Sequence, residues 1–161
     1  MNYWEGGRRN LEVGNTKVIA QMIAARIGCD TYEIQAADPY SRAYDPTVER
    51  NQREQNSDAR PKIAGELPDL RAYGTILLGS PVWNVRAPMI MRTFLDGTDG
   101  LAGQTICLFL TYAVGQGSVF DDYADFCSNA RVEEGLAIRG EDARGAAFEV
   151  DGWLRKHRLM S

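Results

Sequence analysis

The chain has 161 residues, and 18 Lys and Arg against 22 Asp and Glu give a formal net charge of −4. This length fits one domain spanning residues 1–161, and 44% hydrophobic with 25% charged residues is typical of a soluble globular protein. The absence of a long apolar run, a secretory signal and a basic stripe argues against a membrane span and a nucleic-acid partner, and favours a cytoplasmic location.

The first third of the chain predicts one helix, one strand and a long connection. Residues 16–27 carry apolar side chains on one helical face, and Gly28 supplies a stop. Residues 30–35 alternate apolar and polar side chains, which predicts a short strand. Residues 36–72 are polar and rich in proline, so we expect a long connection there, with an exposed helix near residues 47–55.

From residue 75 onward, apolar runs alternate with amphipathic segments. The continuous apolar runs 75–79 and 105–111 predict two buried strands. The remaining predicted elements are a helix opened by Pro88, a helix over 119–127, a strand around Leu136 and Ile138, and a C-terminal helix after Asp142.

Strands that alternate with helices predict an α/β fold, in which a parallel sheet of four strands has helices on both faces. The pattern is unusual because it starts on a helix. The first thirteen residues hold almost no apolar side chains, and residues 11–13 are too short and too polar to supply a buried strand.

The cysteines and the single histidine exclude several kinds of chemistry. Cys29, Cys107 and Cys127 are odd in number and far apart, which excludes a disulfide framework and points to a reducing compartment. Zinc-ligand spacing is absent. A Ser-His-Asp or Cys-His centre needs a histidine as its base, and His157 is the only histidine in the sequence. We expect His157 to be a solvated residue at a helix end, so the sequence argues against such a centre.

Three loops are candidates for ligand binding, because ligands of an open α/β sheet bind at the carboxyl ends of its strands. Residues 14–16 (GNT) begin a helix, where backbone N–H groups favour an anion. Residues 80–86 (SPVWNVR) and 111–117 (TYAVGQG) each follow a predicted strand and carry an aromatic ring. Together they suit a flat aromatic phosphate ester.

Each loop also has a plainer interpretation, which the sequence leaves open. Residues 14–16 could be only a helix N-cap, since Asn and Thr are common there. Trp83 could fold back onto the core, and residues 111–117 could be a glycine-rich turn with an ordinary surface tyrosine.

The loops and their flanking elements resemble the flavodoxin-like family. The resemblance runs from Gly14 to the end of the chain and rests on three motifs, GNTKVIAQMIAARIG, LLGSPVWNVRAPMIMRTFLDG and TICLFLTYAVGQG. It implies a three-layer sandwich around a parallel sheet in the 2-1-3-4-5 order. The family also has a first, central apolar strand, which this chain lacks. We therefore expect either that the chain is shortened at its N-terminus or that another segment fills the gap.

The resemblance implies that the chain binds FMN, with no metal and no catalytic side chain. It assigns the phosphate to Gly14, Asn15 and Thr16. The residues that it places along the two sides of the flavin ring are Ser80, Pro81, Val82, Trp83 and Asn84 on one side, and Thr111, Tyr112, Ala113, Gly115, Gln116 and Gly117 on the other.

The activity implied by the resemblance is electron transfer. A shuttle for a redox partner protein and an NAD(P)H-dependent quinone or flavin reductase remain open. The alternatives are a truncated or degenerate domain of the same fold that acts as a binding module without flavin, and a phosphate-binding enzyme of this fold that uses no flavin. Exposed rings at Trp83 and Tyr112 would also suit a homodimer contact.

Overall fold

The computed structural model describes residues 2–4, 7–9 and 14–161. Two short strands, β1 (Asn2–Trp4) and β2 (Gly7–Arg9), pair with each other in antiparallel fashion. Neither strand was predicted, because three residues are too few for hydrophobic patterning to indicate a strand. The prediction about residues 11–13 lies outside the described residues.

The other elements follow the predicted alternation of helices and strands. The helices are α1 (Asn15–Ile27), α2 (Tyr44–Asn56), α3 (Met89–Gly97), α4 (Val119–Phe126) and α5 (Ala147–Lys156). The strands are β3 (Thr75–Pro81), β4 (Thr105–Tyr112), β5 (Arg131–Val132) and β6 (Leu136–Arg139). Two 3₁₀ helices, Asp99–Leu101 and Gly140–Gly145, connect them.

The four strands β3 to β6 form a parallel sheet. Strand β4 pairs with β3 along one edge, and with β5 and then β6 along the other. Its side chains alternate between two buried clusters, with Leu108 packing on one face and Phe109 on the other. Helices α3 and α4 cover the first face, while α1 and α5 cover the second. The predicted parallel sheet with helices on both faces is confirmed.

The predicted strand over residues 30–35 is wrong. The segment has the alternation of a strand, but the backbone bonds of residues 30–36 within 14–161 come only at its end, where Ala64 N–H donates to the Gln35 carbonyl beside an Ala36–Ile63 bridge. A strand needs a ladder partner along its length. Strand β3 pairs only with β4 among the described strands, and no described strand pairs with residues 30–34.

Residues 36–72 are more structured than the predicted connection. Helix α2 extends beyond the predicted residues 47–55 at both ends, and Asn51 and Glu54 are buried although the helix was expected to be exposed. Glu54 is buried because its carboxylate accepts hydrogen bonds from Tyr40 and Arg50, and hydropathy does not register such partners.

Candidate functional site

The start of α1 leaves backbone donors without partners in the helix. Gly14 has an extended conformation (φ −64°, ψ 150°), and the first helical bond runs from the Val18 N–H to the Gly14 carbonyl over 3.1 Å. The N–H groups of Asn15, Thr16 and Lys17 precede this bond, and none of them donates to a carbonyl within residues 14–161. Such a helix start is suited to an anion.

Side chains of the GNT segment are tied to two other parts of the chain. The Thr16 and Thr111 hydroxyl oxygens lie 2.5 Å apart. Asn15 is buried, and its Oδ1 accepts a hydrogen bond of 3.2 Å from Nη1 of Arg144. Gly140 lies against the same asparagine, since a Cβ at Gly140 would be 2.4 Å from Asn15 Nδ2. The sheet end and the second 3₁₀ helix thus fix the start of α1.

Residues 83–86 form a tight turn after β3. The N–H of Trp83 donates to the Arg86 carbonyl over 2.9 Å, and the N–H of Arg86 donates to the Trp83 carbonyl over 3.1 Å. The two central residues, Asn84 and Val85, have φ of 51° and 56°. Positive φ at both positions defines a type I′ turn, and it is strained for a β-branched valine.

Helix α2 supports this turn from the side. Nε2 of Gln55 donates to the Trp83 carbonyl over 3.1 Å, and Nδ2 of Asn84 donates to Oε1 of both Gln52 and Gln55 over 3.0 Å. The indole of Trp83 meets the ring of Tyr40 edge-on, with ring centroids 5.0 Å apart. Trp83 thus contacts Tyr40 and remains partly exposed.

Tyr40 is itself held by α2. Its hydroxyl donates to Oε2 of Glu54 over 2.7 Å, and the Arg50 guanidinium lies over its ring. Burial, followed by this bond to Glu54, raises the pKa of Tyr40 well above its usual range. The phenol therefore stays protonated at physiological pH and serves as a hydrogen-bond donor.

The two ring loops pack directly on each other. Gly117 has φ +55°, and a Cβ there would lie 2.3 Å from the Val85 carbonyl oxygen. The Ser118 N–H donates to that same carbonyl over 3.2 Å. On the far side of the turn, Nε of Arg86 donates to Oδ2 of Asp122 over 2.8 Å, which raises the pKa of Arg86.

A single groove of about 1320 Å³ brings the three loops together. Its lining includes most of the residues assigned to FMN, namely Gly14, Asn15, Thr16, Pro81, Val82, Trp83, Asn84, Thr111, Tyr112, Ala113 and Gly115. Ser80, Gln116 and Gly117 are not among the lining residues. Ser80 is fully buried and accepts a 2.7 Å hydrogen bond from the Tyr123 hydroxyl.

The groove continues from this mouth as an apolar trough. Its walls include residues 31–34 and strand β3, with Ile23 of α1 and Ile90 and Phe94 of α3. The volume exceeds the 300–1000 Å³ of an ordinary ligand pocket because it includes the trough.

Sequence reasoning missed the residues that support the mouth. Arg144, Tyr40 and Gln55 lie far from the three motifs along the chain, and each reaches the mouth through a tertiary contact. Only the interruption of a polar segment by two tyrosines, Tyr40 and Tyr44, hinted at buried contacts in residues 36–72.

The described residues do not meet the requirements of a metal site or of a membrane-spanning helix. Within residues 14–161, no group of three or more metal-ligating side chains is close enough to hold an ion. No helix in the described part of the chain is long and apolar enough to cross a membrane.

Comparison with known proteins gives one family and several structures. The family model described as Flavodoxin matches residues 11–156. An inferred flavoprotein from Bacteroides eggerthii DSM 20697 shares 26% identity with a TM-score of 0.77, over 91% of this chain and 92% of that one. An inferred flavoprotein from Bacteroides uniformis ATCC 8492 shares 27% identity with a TM-score of 0.70, over 81% and 88% of the two chains.

A third structure, a flavoprotein in complex with FMN from Lactobacillus acidophilus NCFM, has a TM-score of 0.64 over 86% of this chain and 89% of that one. At 22% identity this likeness concerns the fold alone. No curated protein matches the chain.

Proposed function

Because the chain belongs to the flavodoxin family, we propose that it binds FMN non-covalently at the mouth of the groove and takes part in electron transfer. One observation carries the proposal. Three segments that are far apart in the sequence, 14–16, 81–84 and 111–115, line a single groove at the carboxyl ends of β3 and β4. This is where ligands of open α/β sheets bind.

The donors at the start of α1 fit a phosphate. The N–H groups of Asn15, Thr16 and Lys17 precede the first helical hydrogen bond, and the Thr16 hydroxyl is a further donor when Thr111 donates to it. Arg144 adds a positive charge next to Asn15. Since Gly140 has no side chain, this donor set stays compact.

The two ring loops fit a flat aromatic group. Trp83 and Tyr112 both line the groove and are partly exposed, so each offers apolar surface to a ring. The close contact between Gly117 and Val85 holds one loop against the other. A site built in this way positions a ring without reorganising, which lowers the entropic cost of binding.

FMN, when bound, supplies the capacity to accept and donate one or two electrons. The contribution of this chain is to bind, orient and shield it. Partly buried rings at the mouth exclude water from one side of the site, while backbone N–H groups at the loops set the polarity around the ring atoms. Acid–base chemistry by a side chain is not required for this role.

The proposal is tested by titrating FMN with the purified protein. We expect saturable quenching of FMN fluorescence at one equivalent, and a weaker effect for riboflavin, which lacks the phosphate. No quenching and no retained flavin after gel filtration would support the alternative of a binding module without flavin.

A second measurement separates the two electron-transfer roles. Rapid bleaching of the flavin absorbance by NADPH, without any added protein, would identify a reductase. Bleaching that depends on an added reductase would identify a shuttle for a redox partner protein.

A further inference from the structure

Helix α2 makes an unusual contact with the loop that carries Trp83. The side-chain amide of Gln55 uses both its ends on one turn, since Nε2 donates to the Trp83 carbonyl over 3.1 Å and Oε1 accepts from Nδ2 of Asn84 over 3.0 Å. Gln52, one helical turn earlier, accepts from the same Nδ2 over 3.0 Å. The polar segment that separates the motifs therefore reaches back to the mouth of the groove.

The turn has a reason to need this support. A type I′ turn prefers Asn followed by Gly, and here the second central position is Val85, with φ 56°. A β-branched residue in this region is strained, and such a conformation persists only when its surroundings impose it. Gln55 acts on one side of the turn, while Gly117 and Asp122 contact the other.

Gln55 also changes which polar groups the turn can offer. Its Nε2 donates a hydrogen bond to the Trp83 carbonyl from outside the turn. Within residues 14–161, the backbone N–H groups of Asn84 and Val85 have no hydrogen-bond partner, and both residues line the groove. The turn therefore offers two free N–H donors, while its Trp83 carbonyl is already hydrogen-bonded. This combination favours a ligand with acceptor atoms.

We propose that Gln55 is a positioning residue of the ring loop, which holds the 83–86 turn in its strained form so that the loop offers N–H donors to the acceptor atoms of a bound flavin. The inference rests on the proposed FMN site. It adds that α2, which lies outside the three motifs along the sequence, influences both the affinity for the flavin and its reduction potential. A loop rich in donors stabilises the electron-rich reduced ring.

Three variants separate the positioning role from general stability. Gln55→Ala removes both hydrogen bonds to the turn. Gln55→Glu keeps the acceptor for Asn84 but cannot donate to the Trp83 carbonyl. Glu49→Ala is the matched control, because Glu49 is exposed on the same helix and its side chain has no hydrogen bond or ion pair within 14–161.

We expect Gln55→Ala to weaken FMN binding about tenfold, from the loss of two hydrogen bonds, and to move the midpoint potential to a more negative value. Gln55→Glu should behave similarly, and Glu49→Ala like the wild type. Adding Val85→Gly to Gln55→Ala should restore most of the affinity, because an Asn-Gly pair adopts the turn without help.

The flavin-free protein gives an independent readout. Amide NMR signals of Asn84 and Val85 should shift in Gln55→Ala but not in Glu49→Ala. If the wild type binds FMN and Gln55→Ala binds it within twofold with the same potential, the inference is overturned. Unchanged Asn84 and Val85 signals in the flavin-free variant would overturn it too, whereas a wild type that fails to bind FMN contradicts the proposed function.

Discussion

The side-chain hydroxyl of Thr16 lies 2.5 Å from that of Thr111, which joins the start of α1 to the carboxyl end of β4. A hydroxyl has one proton to donate and two lone pairs to accept. When Thr111 donates to Thr16, the Thr16 proton remains available for an anion at the helix start. The pair therefore links the phosphate end of the proposed site to the ring end.

Replacing Thr16 by valine should affect FMN and riboflavin differently. The variant keeps the shape of the side chain and loses the hydroxyl donor, so we expect FMN affinity to fall about tenfold, as for the loss of a hydrogen bond to a charged group. Riboflavin has no phosphate, and its dissociation constant should change little. Fluorescence titration with each flavin measures both constants.

Thr111→Val is the companion to that variant. It leaves the Thr16 donor in place, so its loss of FMN affinity should be the smaller of the two. An equal loss of FMN and riboflavin affinity in Thr16→Val would contradict a phosphate at the helix start.

Gly117→Ala should destabilise the protein. The new Cβ would lie 2.3 Å from the Val85 carbonyl oxygen, at a backbone φ of +55°. Left-handed backbone alone costs an L-residue roughly 1–2 kcal/mol, so the melting temperature should fall by about 4 °C or more. Thermal unfolding followed by circular dichroism measures the shift.

Gly115→Ala is the matched control for that substitution. A Cβ at Gly115 meets nothing within 4 Å, and its φ is not positive. We expect its melting temperature to match that of the wild type. If both alanines were tolerated equally, the two ring loops could not be in the described contact.

Much of this fold could be predicted from local sequence, and the reasons are physical. Residues 75–79 and 105–111 are continuous apolar runs, so they had to be buried strands, and the structure places them side by side in β3 and β4. The isoleucine spacing over 16–27 predicted α1 to within one residue. In each case the signal lies within the element itself.

Predictions failed where the outcome depended on a distant partner. Residues 30–35 have the pattern of a strand, yet a strand exists only if another pairs with it. Likewise, the contact of Gln55 with Trp83 joins residues 28 positions apart and follows no sequence rule. That contact could not be predicted, because the polar composition of residues 47–55 indicated an exposed helix.

Hydrogen exchange should distinguish β3 from β4. Over residues 109–111, β4 is paired with β3 on one side and β6 on the other, whereas β3 pairs with β4 alone among the described strands. In a parallel strand with one neighbour, only every second amide points toward that neighbour. We therefore expect alternating protection along residues 76–80 and continuous protection along 109–111, measured by amide exchange in NMR.

Continuous protection along residues 76–80, equal to that of 109–111, would contradict this description. It would mean that a further strand pairs with the edge of β3 that borders the trough.

Stability should fall at alkaline pH through a buried thiol. Burial raises the pKa of Cys127 from 9.0 to about 11. The thiol therefore loses its proton at lower pH in the unfolded chain than in the folded protein. Its contribution to the free energy of unfolding is complete below pH 9 and is lost as pH rises toward 11. We expect a loss of about 1 kcal/mol per pH unit in this window, measured by urea unfolding. Cys127→Ala should show a shallower decline, and an identical slope would contradict the assignment.

Mapping amide NMR shifts during an FMN titration tests whether FMN binds where the three loops meet. We expect the largest changes in residues 14–18, 81–86 and 111–117, with saturation at one equivalent and little change in α5. Shifts confined to other parts of the chain, or no shifts at saturating FMN, would contradict it.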